Sequence, residues 1–247
     1  MSNPKENGTN YPLTDPYSSY AGLDEATRIK KAAKMISILE KHVDLGSCDV
    51  LDIGTGSGHI IQLVSKKCKS ATSVNLEDER IAKEGYTFVE VKDVHLPFDN
   101  GTFDVVISNQ VIEHIPVQDI HINEIYRVLK NGGIAYIATP SQYTLIEPHF
   151  KLPFLSWLPR PLSNLYVKLF NHKRWDIYPL TLGKLTKIAM PKFEIEDMSL
   201  KIIKHPKDYQ LDMFPHLQPL LKVLPEFILR LLHPFLPSFI VILHKKQ

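Results

Sequence analysis

A glycine-rich turn directly after a buried strand constrains this chain more than any other feature. The stretch CDVLDIG (residues 48–54) is short, apolar and β-branched, and glycines stand at positions 54, 56 and 58. Gly54 permits a tight turn with positive φ, and Gly56 lets a ligand press on the main chain because no Cβ is in the way. Gly58 allows close helix–strand packing or a second approach of the backbone. The helix that starts near Ser57 directs free N–H groups at the ligand and favours an anionic group.

Strands and helices alternate through the first 140 residues. Further strands are predicted at 71–76, 86–91, 103–109 and 134–139, and helices at 24–43, 59–68, 77–85 and 117–133. This order indicates βαβ units and a parallel sheet, which binds ligands at the carboxyl ends of its strands. Beyond Pro140 the pattern predicts helices at 181–190 and 215–233, and strands at 193–203 and 238–246.

Composition excludes several classes of protein. The 247 residues suit one large domain or a domain with an elaborate cap, and a net charge of +2 gives no sign of a nucleic-acid partner. Two cysteines, Cys48 and Cys68, argue against a disulfide framework. The polar N-terminus has no apolar signal region and no run reaches the length of a membrane span, so we expect a cytoplasmic protein. No feature predicts an oligomeric state.

The glycine spacing argues against a dinucleotide site. That fingerprint is G-x-G-x-x-G, and counted from Gly54 its third glycine would stand at 59, where this chain has His59. An acid that holds a ribose is expected about 20 residues further on, at the end of the second strand. Asn75 and Glu77 stand there, and either side chain can accept a hydroxyl. Glu77 is equally well explained as a carboxylate at a helix N-terminus.

Three separated motifs resemble class I S-adenosylmethionine-dependent methyltransferases, and most of all their type 11 and quinone-biosynthesis-like members. They are VLDIGTGSG (50–58), VKDVHLPFDNGTFDVVISNQVIEHI (91–115) and EIYRVLKNGGIAYIATPS (124–141). The resemblance covers residues 48–140. It implies a Rossmann-like αβα sandwich whose seven-stranded sheet is mostly parallel, with the last strand antiparallel, and it implies S-adenosylmethionine as cofactor and S-adenosylhomocysteine as product.

The resemblance also assigns cofactor-binding residues. The glycine turn would surround the methionyl part, the end of the second strand would hold the ribose, Asp93 and Val94 would meet the adenine, and Asn109 and Gln110 would lie near the sulfonium. The full expected set is Asp52, Gly54, Thr55, Gly56, Gly58, His59, Asn75, Leu76, Glu77, Asp93, Val94, Asn109 and Gln110.

Two positions depart from the family pattern. Asn75 stands where the family usually has an acid, so either Asn75 serves with one acceptor oxygen or Glu77 takes over. Quinone-type members carry a further Glu that is proposed to help a metal, and this chain has Gln110 there, so no metal is predicted.

Candidates for a general base follow the fourth and fifth strands. His114 has an ordinary pKa near working pH, and Glu113 beside it could orient a loop or a substrate. His149, with Glu147, lies where a substrate cap should begin. For each of these residues a purely structural role stays open, and a nucleophile that needs no base stays open as well.

The domain organisation follows from the proline-rich and apolar segments. Residues 1–22 are expected to be a flexible leader or lid, and 23–247 the methyltransferase domain with cap insertions at 141–180 and 205–236. The cap segments either pack on each other as core or form a hydrophobic pocket or a membrane-facing patch. In the second case the basic residues between them would face headgroups or an anionic carrier: Lys151, Arg160, Lys168, Lys173 and Arg174.

The expected function is therefore methyl transfer from S-adenosylmethionine to a small-molecule acceptor of hydrophobic or lipid-like character. Two alternatives remain at this stage. One is a module that binds the cofactor without turnover, since intact binding residues do not prove catalysis. The other is a nicotinamide-dependent oxidoreductase, which the glycine spacing disfavours.

Overall fold

A single seven-stranded sheet organises the protein. The computed structural model describes residues 25–170, 175–210 and 223–246. The strands are β1 Asp49–Ile53, β2 Ser70–Asn75, β3 Thr87–Glu90, β4 Phe103–Asn109, β5 Leu129–Pro140, β6 Phe193–Asp197 and β7 Ser238–Lys245, in the order β3-β2-β1-β4-β5-β7-β6. The pairs among β1 to β5 are parallel, and β7 is antiparallel to both of its neighbours. The predicted Rossmann-like architecture is confirmed.

Helices cover both faces of the sheet. They are α1 Glu25–Leu39, α2 His59–Ser65, α3 Gln118–Val128, α4 Arg160–Leu169, α5 Leu182–Ala189, α6 Ser199–Lys204 and α7 Glu226–Leu232. One core joins α1, α2 and α6 to the sheet through residues such as Met35, Ile61 and Ile242. The other joins α3 and α5 to the opposite face, with Ile122 and Leu185 at its centre. Their apolar stripes are buried because each helix has a sheet face to cover.

The strand order places the ligand crevice. β2 and β4 flank β1, so the chain runs to one side of β1 and then crosses to the other. The connections diverge at this switch point and leave a crevice outside the carboxyl ends of the strands. The glycine turn after Ile53 lies at this edge.

The predicted helix at 77–85 is wrong. These residues are non-helical, and the N–H groups of Ile81 and Ala82 both donate to the carbonyl of Ser57, each at 3.0 Å. Asp78 further holds Arg80 through a paired hydrogen bond at 2.8 and 2.9 Å. The segment packs on the glycine turn, and these bonds replace the helical ladder that the sequence pattern suggested.

Three other boundaries differ from the sequence prediction. The helix predicted at 117–133 ends at Val128, and Asn131-Gly132-Gly133 lies inside β5, where the pairing with β4 shifts register. The strand predicted at 193–203 ends at Asp197, and α6 follows after Met198. Of the helix predicted at 215–233, the part within the described residues is α7.

The segment after β5 builds a small core of its own. Phe150, Leu155, Val167, Trp175 and Ile177 are buried together. This accounts in part for the apolar character of the predicted cap at 141–180. Among the described helices, none has the length and apolar character needed to cross a membrane. The leader, together with Lys173 and Arg174, lies outside the described residues.

Candidate functional site

A cavity of about 480 Å³ opens at the carboxyl edge of the sheet. Its volume lies in the range of roughly 300–1,000 Å³ that is usual for small-molecule and cofactor sites. Its walls come from α1, from the ends of β1, β2 and β4, and from the segments that follow β3 and β5. Of the expected cofactor residues it contacts Asp52, Gly54, Thr55, Gly56, Asn75, Leu76, Glu77, Asp93, Val94, Asn109 and Gln110.

Two glycines of the turn have different roles in the structure. Gly56 has φ +52°, and of the described residues a Cβ there would meet only Arg28 Nη1, at 3.9 Å, so this backbone is open to the cavity. Gly58 has φ +80°, and a Cβ there would collide with the carbonyl oxygen of Ala82 and the hydroxyl of Tyr86. Gly56 therefore leaves room for a ligand, whereas Gly58 permits close packing of the 77–85 segment.

Gly58 and His59, both expected to bind the cofactor, are not in the cavity wall. Gly58 precedes α2, and the segment that contains Ala82 packs against it, so no ligand can approach it there. The Nδ1 atom of His59 lies 2.9 Å from the Ser57 hydroxyl, which directs the ring to the turn itself.

Asp52 is a buried carboxyl group at the end of β1. The hydroxyl of Thr55 donates a hydrogen bond to its Oδ2 at 3.1 Å. Burial raises the pKa of Asp52 to about 7, and the Thr55 bond offsets only part of that effect. A positively charged group that enters the cavity beside Asp52 would favour its ionised form.

The end of β2 presents an amide and a carboxylate side by side. The Asn75 side-chain Nδ2 donates to the backbone carbonyl of Glu77 at 2.9 Å. Asn75, Leu76 and Glu77 all contact the cavity. Because the Asn75 amide nitrogen is taken up by this turn, its oxygen and the Glu77 carboxylate are the acceptors available to a ligand hydroxyl.

Asp93 and Gln110 face the cavity from two other strands. Asp93 Oδ1 accepts from the His95 backbone N–H at 2.7 Å and lies 3.0 Å from His95 Nδ1. Gln110 follows β4 with φ +62°, a left-handed backbone that is uncommon for a non-glycine residue. Its N–H donates to Ala138 at 2.8 Å, which ties this strained position to β5. Such strain is concentrated at functional sites.

Glu113 and His114 lie on the turn after Asn109. Glu113 is fully buried, does not contact the cavity, and accepts from the Thr139 hydroxyl at 2.9 Å. Burial raises the pKa of Glu113 to about 7. His114 does contact the cavity, and burial together with the neighbouring His149 lowers its pKa to about 3. His114 is therefore a neutral imidazole at physiological pH.

His149 forms a dyad with Glu147 at the cavity wall. Its Nδ1–H donates to Glu147 Oε1 at 2.6 Å, and Glu147 Oε2 accepts from the Phe150 N–H at 2.7 Å. Burial lowers the pKa of His149, but the bond and charge of Glu147 outweigh it, so the net effect is a raised pKa. The rings of His149 and His114 meet edge to face with centroids 5.0 Å apart. The structure thus brings the separate histidine candidates together.

Three side chains at this point could also hold a cation. One ligand atom each from Glu113, His114 and His149 lies within 4.8 Å of the others. Gln110, at which the sequence departs from the quinone-type pattern, is not among them. No metal was predicted because Gln110 replaces a glutamate of the quinone-type pattern. The cluster instead draws a ligand from His149, which lies outside that pattern.

Further residues of the cavity wall were not predicted, and three of them carry basic side chains. Arg28 and Lys31 reach it from α1, and His121 reaches it from α3. His121 lies 2.9 Å from the Ser108 hydroxyl, and burial lowers its pKa to about 4. Nothing in the local sequence marks Arg28 or Lys31, since basic residues on an amphipathic helix usually face solvent.

Fold and cavity together define a Rossmann-like α/β protein with a ligand site at the switch point of its sheet. Solved structures support the fold. The putative methyltransferase in complex with the Haloferax volcanii Trm112 methyltransferase activator matches 94% of this chain and 99% of its own, with a TM-score of 0.60 at 15% identity. A putative S-adenosylmethionine dependent methyltransferase from Listeria monocytogenes matches 88% and 99%, with a TM-score of 0.57 at 16% identity.

Sequence comparison identifies the family. Residues 51–137 match the model of the methyltransferase domain. A probable S-adenosylmethionine-dependent methyltransferase of Mycolicibacterium smegmatis is 30% identical over 101 residues, which are 39% of each chain. The ubiquinone/menaquinone biosynthesis C-methyltransferase UbiE of Agrobacterium fabrum is 34% identical over 113 residues, 40% of this chain and 43% of its own.

Residues 51–137 of this chain therefore form a methyltransferase domain, and the predicted resemblance to S-adenosylmethionine-dependent methyltransferases is confirmed over this segment. The match spans about two fifths of the length of these curated relatives. The match to a methyltransferase domain favours an S-adenosylmethionine site over a nicotinamide site.

Proposed function

We propose that this protein transfers a methyl group from S-adenosylmethionine to a small-molecule acceptor that enters beside His114 and His149. One observation carries the proposal. The side-chain-free backbone at Gly56 and the histidine pair face the same cavity, so a cofactor and an acceptor fit in contact. The family match supplies the identity of the cofactor.

The cavity wall suggests how the cofactor is held. Asp52 and Gly56 take the methionyl part, because Asp52 offers a carboxylate to its ammonium group. Asn75 and Glu77 take the ribose hydroxyls, and Asp93 takes the adenine amino group. The cofactor supplies an activated methyl group on its sulfonium. The protein contributes alignment, which for well-oriented reactants is worth about 7–11 kcal/mol.

His149 is the better candidate for a general base. The Glu147 carboxylate fixes its Nδ1–H and stabilises the imidazolium that forms when Nε2 takes a proton from the acceptor. His114, whose pKa lies at about 3, is too weak a base for that step and is suited to positioning. An oxygen or nitrogen acceptor that must lose a proton would use this dyad.

An exposed aromatic group at the same edge of the sheet favours an apolar acceptor. The rings of Tyr143, Phe154, Trp157 and Phe235, which we call the aromatic rim, form contacts with centroids 5.3–6.4 Å apart. All four side chains are exposed, and exposed leucines on α4 and α7 extend the surface. Such a contiguous apolar surface is typical of a membrane or partner contact. One of the matched relatives is named for ubiquinone/menaquinone biosynthesis, which is consistent with a hydrophobic acceptor.

A transfer assay tests the proposed activity. The protein is incubated with methyl-labelled S-adenosylmethionine and with fractions of a lipid extract or with soluble aromatic acceptors. We expect labelled product in the apolar fraction and accumulation of S-adenosylhomocysteine. His149→Gln should lower the turnover number and leave cofactor binding unchanged. Cofactor binding with no transfer to any fraction would instead identify a non-catalytic binding module.

A flotation assay tests the membrane contact. The wild type should float with vesicles that contain anionic lipid, and Trp157→Ser combined with Phe235→Ser should reduce the bound fraction. Met190→Ser is the control, because Met190 is also an exposed apolar side chain but follows α5 at the opposite edge of the sheet. Equal flotation of the rim variant and the control would remove the membrane from the proposal.

A further inference from the structure

A second cluster of ligand-type side chains lies far from the cavity. His42 follows α1, Glu196 lies on β6 and His244 lies on β7. His244 pairs with Ile134 near the start of β5, which is the amino edge of the sheet, opposite the cavity. One ligand atom from each of the three side chains lies within 4.8 Å of the others. The methyltransfer site uses none of them.

The distances between the ligand atoms suit a small tetrahedral ion. His42 Nε2 lies 3.1 Å from Glu196 Oε2, and His244 Nε2 lies 3.4 Å from the same oxygen. Two ligand atoms bound at about 2.0–2.1 Å to a tetrahedral Zn²⁺ are roughly 3.3–3.4 Å apart. Two of the three distances between ligand atoms are therefore already close to the required spacing, and the third is within 4.8 Å.

The outer atoms of the cluster are also arranged as in metal sites. His42 Nδ1 lies 2.8 Å from the carbonyl of Ile38 and must donate to it, so Nε2 is the atom left for the cluster. A neutral His42 would then aim a lone pair at the Glu196 carboxylate, so either a proton on Nε2 or a metal cation must lie between them. A ring N–H bonded to a backbone carbonyl is the usual second contact of a metal-binding histidine.

Glu196 is held in the same way. Its Oε1 accepts from Lys201 Nζ at 2.5 Å, which leaves Oε2 as the single oxygen shared by both histidines. The histidines are partly buried and their rings are 5.7 Å apart, so little rearrangement is needed to close on an ion. Three protein ligands leave a fourth position for water.

We propose that His42, Glu196 and His244 form a Zn²⁺ site that clamps the end of α1 to the last two strands. The ion joins residues more than 200 positions apart in sequence, and it binds the folded state in preference to the unfolded chain. Its effect is stabilising, because a ligand of the native state alone shifts the folding equilibrium.

Thermal unfolding of the tag-free full chain at pH 8 tests the proposal. Zn²⁺ binding requires deprotonated ligands, so an alkaline pH favours the ion over a proton at the cluster. Free Zn²⁺ at 100 times its dissociation constant should raise Tm by roughly 5–10 °C, and a chelator should reverse the rise. His42→Gln and His244→Gln should each abolish the rise, whereas the exposed His205→Gln should keep it.

Two measurements keep the test independent of the cavity and of variant folding. Thermal unfolding with and without Zn²⁺ is repeated in His149→Gln, which removes a ligand from the cluster at the cavity. The rise in Tm should persist in this variant. In the wild type, Co²⁺ should give the intense visible absorption of a tetrahedral site. Absence of any zinc effect on Tm, or an effect that survives both His42→Gln and His244→Gln, would overturn the proposal.

Discussion

Asp52→Asn should stabilise the ligand-free protein in a strongly pH-dependent way. Burial raises the pKa of Asp52 from its ordinary value of 3.8 to about 7. The folded state therefore holds a proton more tightly than the unfolded chain does. The contribution of Asp52 to stability is fully present below pH 3.8 and is lost as the pH rises towards 7. An asparagine side chain at this position would have the same shape, keep the acceptor for Thr55 and carry no charge to bury.

The size of the effect follows from these two pKa values. Proton linkage at one site makes Asp52 cost about 2 kcal/mol relative to asparagine at pH 5, and about 4 kcal/mol at pH 8. The stability gap between Asp52→Asn and wild type should thus widen by roughly 2–3 kcal/mol between these pH values.

Urea unfolding of both proteins at pH 5 and pH 8 measures the gap. Ser73→Ala is a useful control, since Ser73 is equally buried but does not titrate. A gap that stays constant with pH would refute the account of Asp52 as a carboxyl group kept neutral by burial. The same variant should bind the cofactor more weakly, because it lacks the charge that faces the ammonium group.

Three further predictions follow from the site and its surroundings. Asp93→Ala should weaken binding of S-adenosylhomocysteine by about 1–3 kcal/mol, roughly 5–150-fold by calorimetry, and unchanged affinity would remove Asp93 from the adenine pocket. Gly58→Ala should reduce the free energy of unfolding by more than Gly132→Ala does. Both variants carry the roughly 1–2 kcal/mol strain of a positive φ, but only the alanine at 58 also collides with Ala82. Equal losses in urea unfolding would contradict this packing. With an acceptor that loses a proton, Glu147→Gln should shift the acid limb of the kcat/KM profile of His149 to lower pH, since Glu147 raises that pKa; an unmoved limb would show that another group titrates.

The sequence predicted the strands well because each carries its own signal. Short β-branched runs such as VLDI must be buried on both faces of a parallel sheet, and the glycine turn marks where the first one ends. The family resemblance then implied the remaining topology, including the antiparallel last strand. The helix at 77–85 was predicted wrongly because the local sequence does not reveal a distant contact. The N–H groups of Ile81 and Ala82 both donate to the backbone carbonyl of Ser57.

The candidate site was only half predictable for a similar reason. Asp52 lies at the end of β1, and Gly56 and Asp93 come shortly after β1 and β3, so topology alone brings them to one edge of the sheet. The dyad of His149 and Glu147, by contrast, depends on how the segment after β5 folds back. Arg28 reaches the cavity from a helix that precedes the sheet, and no local pattern distinguishes it from a solvent-exposed residue.

Calorimetric titration with S-adenosylhomocysteine tests the central claim most directly. The wild type should bind one equivalent, Gly56→Val should bind none because its side chain fills the open space above the turn, and NAD should give no heat with either protein. Undiminished binding by Gly56→Val would contradict the placement of the cofactor at this turn. Absence of binding by the wild type would contradict the proposed function itself.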